Sequence, residues 1–258
     1  MDTILIEIKN KVGIIRLNRP DKYNAFNREM ALHLQRSLND FASDSAIRSI
    51  YITGNGKAFS AGQDLGEVTG NDPIPFEKIL SEHYNPIITR IRNIQKPVIA
   101  AVNGIAAGAG ANIALCCDIV VANKSASFIQ AFSKIGLIPD SGGTYFLPRL
   151  IGFQQASAVM MLGDKINSER AEQIGMIYKL FEDDVFEDES LKIAEQLSDM
   201  PTRGLWLTKQ ALNKSMSNDM ANQLILEDQL QLQAAATNDY NEGVAAFIEK
   251  RKPNFTGE

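Results

Sequence analysis

At 258 residues, 45% hydrophobic and 22% charged, the chain has the size and composition of one globular α/β unit with a full core. Its formal net charge of −5 argues against a nucleic-acid partner, and no apolar run approaches the roughly 20 residues that span a bilayer. The first residues lack the basic-then-apolar layout of a secretory signal, and Cys116 and Cys117 are adjacent, which suits a reduced, buried pair. A cytoplasmic protein is expected.

In chain order, Ile4, Ile6 and Ile8 alternate with polar or edge positions and a second apolar run covers 12–17, so Asn10 and Lys11 predict a hairpin. Asn27 is placed to cap a helix whose Met30, Leu34, Leu38 and Phe41 recur at helical spacing. Residues 49–53 read as a buried strand. Phe76, Leu80, Tyr84, Ile87 and Ile91 outline one longer helix that ends before Pro97. A strand over 97–102 leads through a glycine-rich turn into a helix near 109–116, and further strands are expected at 119–121 and 126–129. Gly142 opens a helix that Pro148 kinks. Such alternation predicts an α/β body with mainly parallel crossovers. From about residue 154 the pattern reads as almost entirely helical. The core is expected over 1–195, with a helical region over 196–258 that carries more apolar surface than it can hide alone. The acidic cluster from Glu182 to Glu189 reads as a solvated helix start that suits the helix dipole.

Several chemistries lack their residues. Gly108-Ala109-Gly110 does not continue as a dinucleotide fingerprint, and Gly56-Lys57 lacks the rest of a phosphate loop. The two histidines, His33 and His83, fall on predicted helices with no ligand set, which leaves neither a zinc site nor a Ser-His-Asp triad. What remains is one carboxylate, Asp140, between an apolar run and a glycine pair. Small-residue loops at 58–65 and 103–112 accompany it. Together they suggest a polarised carbonyl beside a single acid/base group. Phe132, Ile138 and Pro139 are expected to surround Asp140 and raise its pKa by desolvation. A competing role for Asp140 is to cap the Gly142 helix.

Four segments carry a resemblance: Arg19 to Ala25, Phe59 to Leu65, Asn103 to Asp118, and Ile138 to Gly143. In this order and spacing the chain resembles the enoyl-CoA hydratase/isomerase (crotonase) superfamily over nearly its whole length. The resemblance implies a spiral of ββα turns, a homotrimer or homohexamer built by the C-terminal helices, and an acyl-CoA thioester substrate. Coenzyme A would then be part of the substrate, with no separate cofactor or metal. It also implies that the amides of Gln63 and Ala109 hold the thioester oxygen, with Gly108 allowing close approach. Lys22 is implied to reach the CoA phosphates, and Lys250 those of a neighbouring subunit. Ala61, Asp64 and Leu65 are implied to frame the adenine and pantetheine path.

Hydratases of this superfamily use two glutamates, and the corresponding positions here hold Asn112 and Phe132. Neither exchanges a proton at neutral pH. A lone Asp140 can still move a proton between two carbons, which is a double-bond shift. The run from Phe128 through Leu150 is most similar to the isomerases of aerobic phenylacetate degradation, which convert ring-1,2-epoxyphenylacetyl-CoA to oxepin-CoA and shift Δ3 double bonds to Δ2. Asn112 would then hydrogen-bond the epoxide region or serve packing. Other crotonase-fold activities remain alternatives. A hydratase would hydrate crotonyl-CoA, and an aryl-CoA dehalogenase would need an indole and an imidazole where Phe132 and Asn85 stand. A non-catalytic RNA-binding relative would retain RNA in a salt-sensitive way.

Overall fold

The computed structural model describes residues 2–69 and 73–258. Its strands, numbered in chain order, build two sheets. The larger contains β1 (Ile4–Lys9), β2 (Val12–Leu17), β3 (Ser49–Gly54), β5 (Val98–Val102), β7 (Ile119–Asn123) and β10 (Lys179–Phe181), side by side in that order. The smaller contains β4 (Ala58–Ser60), β6 (Ile105–Ala107), β8 (Ser127–Ile129) and β9 (Lys165–Asn167). Only the β1–β2 and β8–β9 pairs are antiparallel. Asn10, at φ 56°, carries the tight turn between β1 and β2, as the hairpin reading expected.

The chain spirals because each central strand of the large sheet is followed closely by a strand of the small one: β3 by β4, β5 by β6, and β7 by β8. Right-handed parallel crossovers then bring successive turns side by side. β3 and β5 run through the middle of the large sheet, and every residue of both is buried, as expected where both faces are covered. Helix Arg28–Ser43 packs its Met30, Leu34 and Leu38 into the core. Its start is set by the Asn27 side chain, which accepts from the Met30 amide at 3.0 Å.

The structure corrects the reading in three places. The segments at 58–65 and 103–112, read as small-residue loops, contain the three-residue strands β4 and β6. Between 154 and 185 the chain is not all helix, because β9 and β10 interrupt it. Each is three residues long, too short to show a period of two. The helix expected over 76–91 is also broken, into a turn at Phe76–Lys78, a π segment at Ile79–Tyr84 and an α-helix at Asn85–Asn93. Pro86 accounts for the change of pitch, since it has no N–H to return to the Glu82 carbonyl. Gln35 supplies the missing donor from the neighbouring helix, its Nε2 reaching the Glu82 carbonyl at 2.7 Å.

Helices Thr202–Ser215, Met220–Ala235 and Asn238–Glu249 follow the core. The first is tied to it by ionic contacts. Lys209, only 6% exposed, places its Nζ 2.7 Å from Asp118, which Arg92 also holds at 3.0 Å. Among the described residues no helix is long and apolar enough to cross a membrane. Removing one partner of a buried pair strands the other charge. Asp118→Asn is therefore expected to cost about 3 kcal/mol, read as a lower denaturant midpoint. A loss below about 1 kcal/mol would show that the contact behaves as an exposed pair.

Candidate active site

β4, β6 and β8 run parallel and end side by side, and the residues after each of them line one cavity of about 430 Å³. Ala61, Gly62 and Gln63 follow β4; Gly108 and Ala109 follow β6; Ala131 and Phe132 follow β8. Leu65, Val68, Phe76, Ile79, Tyr84, Ile135, Leu137 and Asp140 complete the wall. The described lining is therefore mostly apolar, with Asp140 as its one acid.

Among the described residues, the backbone amides of Gln63 and Ala109 have no hydrogen-bond acceptor at this strand edge. Gln63 bridges Phe26 in parallel fashion, with Gly62 accepting from Phe26 at 2.6 Å and Asp64 donating to Phe26 at 2.9 Å. In such a bridge the central residue's own N–H points the other way. Ala109 is the first residue of helix Ala109–Leu115, so its N–H has no acceptor within the helix. The two loops touch because residue 62 lacks a side chain. A Cβ there would lie 2.8 Å from the Ala107 carbonyl oxygen and 3.4 Å from the Ala109 nitrogen, and its φ is +89°. Gly108, at φ 52° and ψ −128°, occupies backbone space that side chains disfavour.

Asp140 is presented by a turn in which Ser141 and Gly142 are both left-handed, at φ 51° and 74°. Its carbonyl oxygen accepts from the Gly143 amide at 2.8 Å and from Asn112 Nδ2 at 2.9 Å. Its carboxylate receives one side-chain hydrogen bond among the described residues, from the Ser141 hydroxyl at 2.9 Å. Burial pushes the Asp140 carboxyl above the usual carboxylate range, and the Ser141 bond only partly counters it. The capping alternative does not hold. Helix Gly143–Ile151 has Gly142 at its cap and no side-chain capping bond.

Of the residues singled out in the sequence, Asp140, Gln63, Ala109, Gly108, Ala61 and Leu65 meet in this cavity. Four do not line it. Asn112 is 1% exposed and sits behind the wall, its Nδ2 on the Asp140 carbonyl and its Oδ1 accepting from Gln130 at 2.7 Å. Both polar ends are occupied, so it positions the Asp140 turn rather than contacting a ring. Asp64 faces Arg19, 2.8 Å away, and accepts from the Gly66 amide at 3.0 Å. Burial works to raise its carboxyl, but the bonds from Arg19 and Gly66, helped by the charges of Arg19 and Lys22, hold it low. Lys22 is exposed on the turn Pro20–Lys22, and Lys250 is exposed at the end of helix Asn238–Glu249. Ile138 is also displaced from its expected role: it is 80% exposed, and Phe132 and Leu137 supply the apolar wall instead. Residues 70–72, between the wall residues Val68 and Phe76 in sequence, lie outside the described residues.

Sequence reasoning treated Tyr84 as one more apolar helix position. It is 1% exposed, lines the cavity, and donates its hydroxyl hydrogen to Gln63 Oε1 at 2.9 Å. The available signal was chemical, since a buried tyrosine must find a partner for its hydroxyl. His83, next to it, is buried beside the Arg28 guanidinium at 3.1 Å and lies outside the cavity wall.

A family model described as enoyl-CoA hydratase/isomerase matches residues 7–258. A 1,2-epoxyphenylacetyl-CoA isomerase of Escherichia coli is 44% identical, with 100% of both chains covered. A 2,3-dehydroadipyl-CoA hydratase of the same organism is 35% identical, again over 100% of both. An enoyl-CoA hydratase from Bacillus anthracis superposes with a TM-score of 0.92 at 32% identity, covering 99% of this chain and 100% of that one.

A carboxyl whose pKa is raised by folding favours the folded state when protonated and opposes it when charged. Stability from this group is complete below the unfolded value of about 3.9 and is lost as pH rises through the higher folded value. Asp140→Asn is therefore expected to melt above the parent protein at pH 7.5, with the difference closing below about pH 4. A melting difference independent of pH would contradict the buried, unpaired carboxylate.

Proposed function

The chain belongs to the enoyl-CoA hydratase/isomerase family, and we propose that within it this enzyme is an acyl-CoA isomerase that works with one carboxylate. The observation that carries the reading is Asp140, the one acid of the described cavity wall, partly buried in a cavity that Gln63 and Ala109 also line. The thioester oxygen is held by the amides of Gln63 and Ala109, which stabilise the negative charge that develops when the neighbouring carbon loses a proton. The carboxylate takes a proton from carbon 2 of a 3-enoyl thioester. The electron pair moves through the double bond, and the same carboxyl returns the proton at carbon 4. Reactant and product differ only in the place of one double bond, so the step needs no metal or redox partner, and turnover is expected to survive chelation.

Ring-1,2-epoxyphenylacetyl-CoA, converted to oxepin-CoA, is proposed as the second substrate type on the likeness to the Escherichia coli isomerase. Hydration is the rival reading, supported by the names of other relatives. Against it stand Phe132 in the wall and Asn112 behind it, neither of which activates water. Lys22 lies on the side of the Gln63 loop, close enough for its charge to act on Asp64, and is proposed to meet the CoA phosphates. Lys250 is proposed to reach the CoA of a neighbouring subunit. Residues 196–258 are proposed to assemble a trimer or hexamer, since Met220, Ile225, Leu232, Phe247 and Ile248 are each more than half exposed.

Purified protein supplied with 3-hexenoyl-CoA is expected to generate the conjugated 2-enoyl chromophore, with crotonyl-CoA hydrated slowly or not at all. Asp140→Asn is expected to lower turnover by about 10²–10⁴-fold, the usual worth of a positioned acid/base, while acyl-CoA binding persists. Undiminished turnover in that variant would remove Asp140 from the mechanism, and rapid hydration by the parent enzyme would favour the rival reading.

A further inference from the structure

We infer that Tyr84 is the specificity-determining donor of the cavity, selecting acyl groups that carry an oxygen in a ring close to the reacting carbons. The inference rests on the isomerase reading and names its substrate class. Only three described lining residues have polar side chains: Gln63, Tyr84 and Asp140. Asp140 is the proposed base. The Gln63 amide group is turned away, its Nε2 directed to the Asp64 carbonyl at 3.2 Å and to Glu67 at 3.3 Å. Tyr84 is left as the side-chain donor facing the acyl group.

Its placement suits that role. The ring is fixed edge-on against Phe26, centroids 6.0 Å apart, so only the hydroxyl torsion is free. Burial, with the nearby charge of Asp140, pushes the phenol well above its ordinary pKa, so the hydrogen stays available for donation. Tyr84 and Asp140 line the same cavity.

The partner on Gln63 determines the form of the selectivity. With a plain alkenoyl chain the hydroxyl keeps its 2.9 Å bond to Gln63 Oε1, and no donor is orphaned. With an oxygen-bearing ring it rotates to the substrate, and the half-buried Gln63 oxygen is released. A site whose donor had no internal partner would reject the apolar substrate strongly. Here both classes are accepted, with a modest preference for the oxygenated one.

Two unreactive thioesters of one shape test this: tetrahydropyran-2-ylacetyl-CoA and cyclohexylacetyl-CoA, which differ by an oxygen for a methylene. The parent enzyme is expected to bind the first about tenfold more tightly, as one exchanged hydrogen bond would give. Tyr84→Phe, which keeps the ring on Phe26, is expected to lose that preference while binding the cyclohexyl compound as the parent does. In turnover its kcat/KM is expected to fall about tenfold on the ring epoxide and less than about threefold on 3-hexenoyl-CoA. The absence of a preference in the parent overturns the inference whatever the variant does. So does an equal loss on both ligands, which would mean that Tyr84 only steadies Gln63. Failure of the parent to isomerise 3-hexenoyl-CoA would instead refute the isomerase reading, and the binding comparison would still decide the role of Tyr84.

Discussion

A carboxylate enclosed by apolar side chains with one hydroxyl for company is the constraint around which the rest of this structure is arranged. Left to itself the Asp140 turn would relax toward water, because an ionised group loses solvation on burial. It is held by its backbone rather than by its charge. The Asp140 carbonyl is fastened by the Gly143 amide and by Asn112, and the left-handed Ser141 and Gly142 set the exit direction. The carboxylate is therefore kept in place without a cation, and a cation would have made it a weaker base.

The same economy governs the opposite wall. Three short parallel strands end together, and on the proposed reading the amides just beyond them serve as an anion site without any side chain. The requirement is that two loops approach within contact distance, which Gly62 permits. Helix Ala109–Leu115 begins at this point, with Ala109 in the cavity wall and its N–H without an acceptor in the helix. The large sheet supplies rigidity: β3 and β5 lie within it, and short connections carry that order to β4 and β6.

Much of this was legible before any coordinates. Asn27 as a cap, the Asn10 turn, the strand–helix alternation to residue 151 and the lone acid at 140 are local signals, each with a local cause. What could not be read depended on distant partners. β9 and β10 are three-residue segments that become strands only because the edges of β8 and β7 are waiting for them. The π segment at Ile79–Tyr84 depends on Pro86 and on a glutamine about fifty residues away. Tyr84 fits a helix-periodic apolar pattern, and nothing in that pattern tells whether the hydroxyl ends in solvent, in the core or in a cavity. Asn112 is the sharpest case. Its position in the motif was clear, but its side chain serves a carbonyl 28 residues later and a glutamine 18 residues later.

Asn112 and Phe132 stand where the resemblance places two glutamates, and the two departures support one another. An ionised glutamate has no hydrogen to give, so it could not make the bond that Asn112 Nδ2 gives to the Asp140 carbonyl. Phe132, whose ring tip would lie 3.7 Å from a Cβ on Gly108, fills space beside the amide loop with hydrocarbon. That ring removes a group that could have activated water. It adds hydrocarbon to the wall that Asp140 shares, and on the proposed reading such surroundings make that carboxylate a stronger base. On the proposed reading, loss of hydration chemistry and gain of a competent proton shuttle are consequences of the same pair of substitutions. A second acid restored at 132 alone would face an aspartate still poised to take protons, with no matching change behind it at 112. On that reading the two chemistries are separated by a coupled exchange of residues rather than by either residue alone.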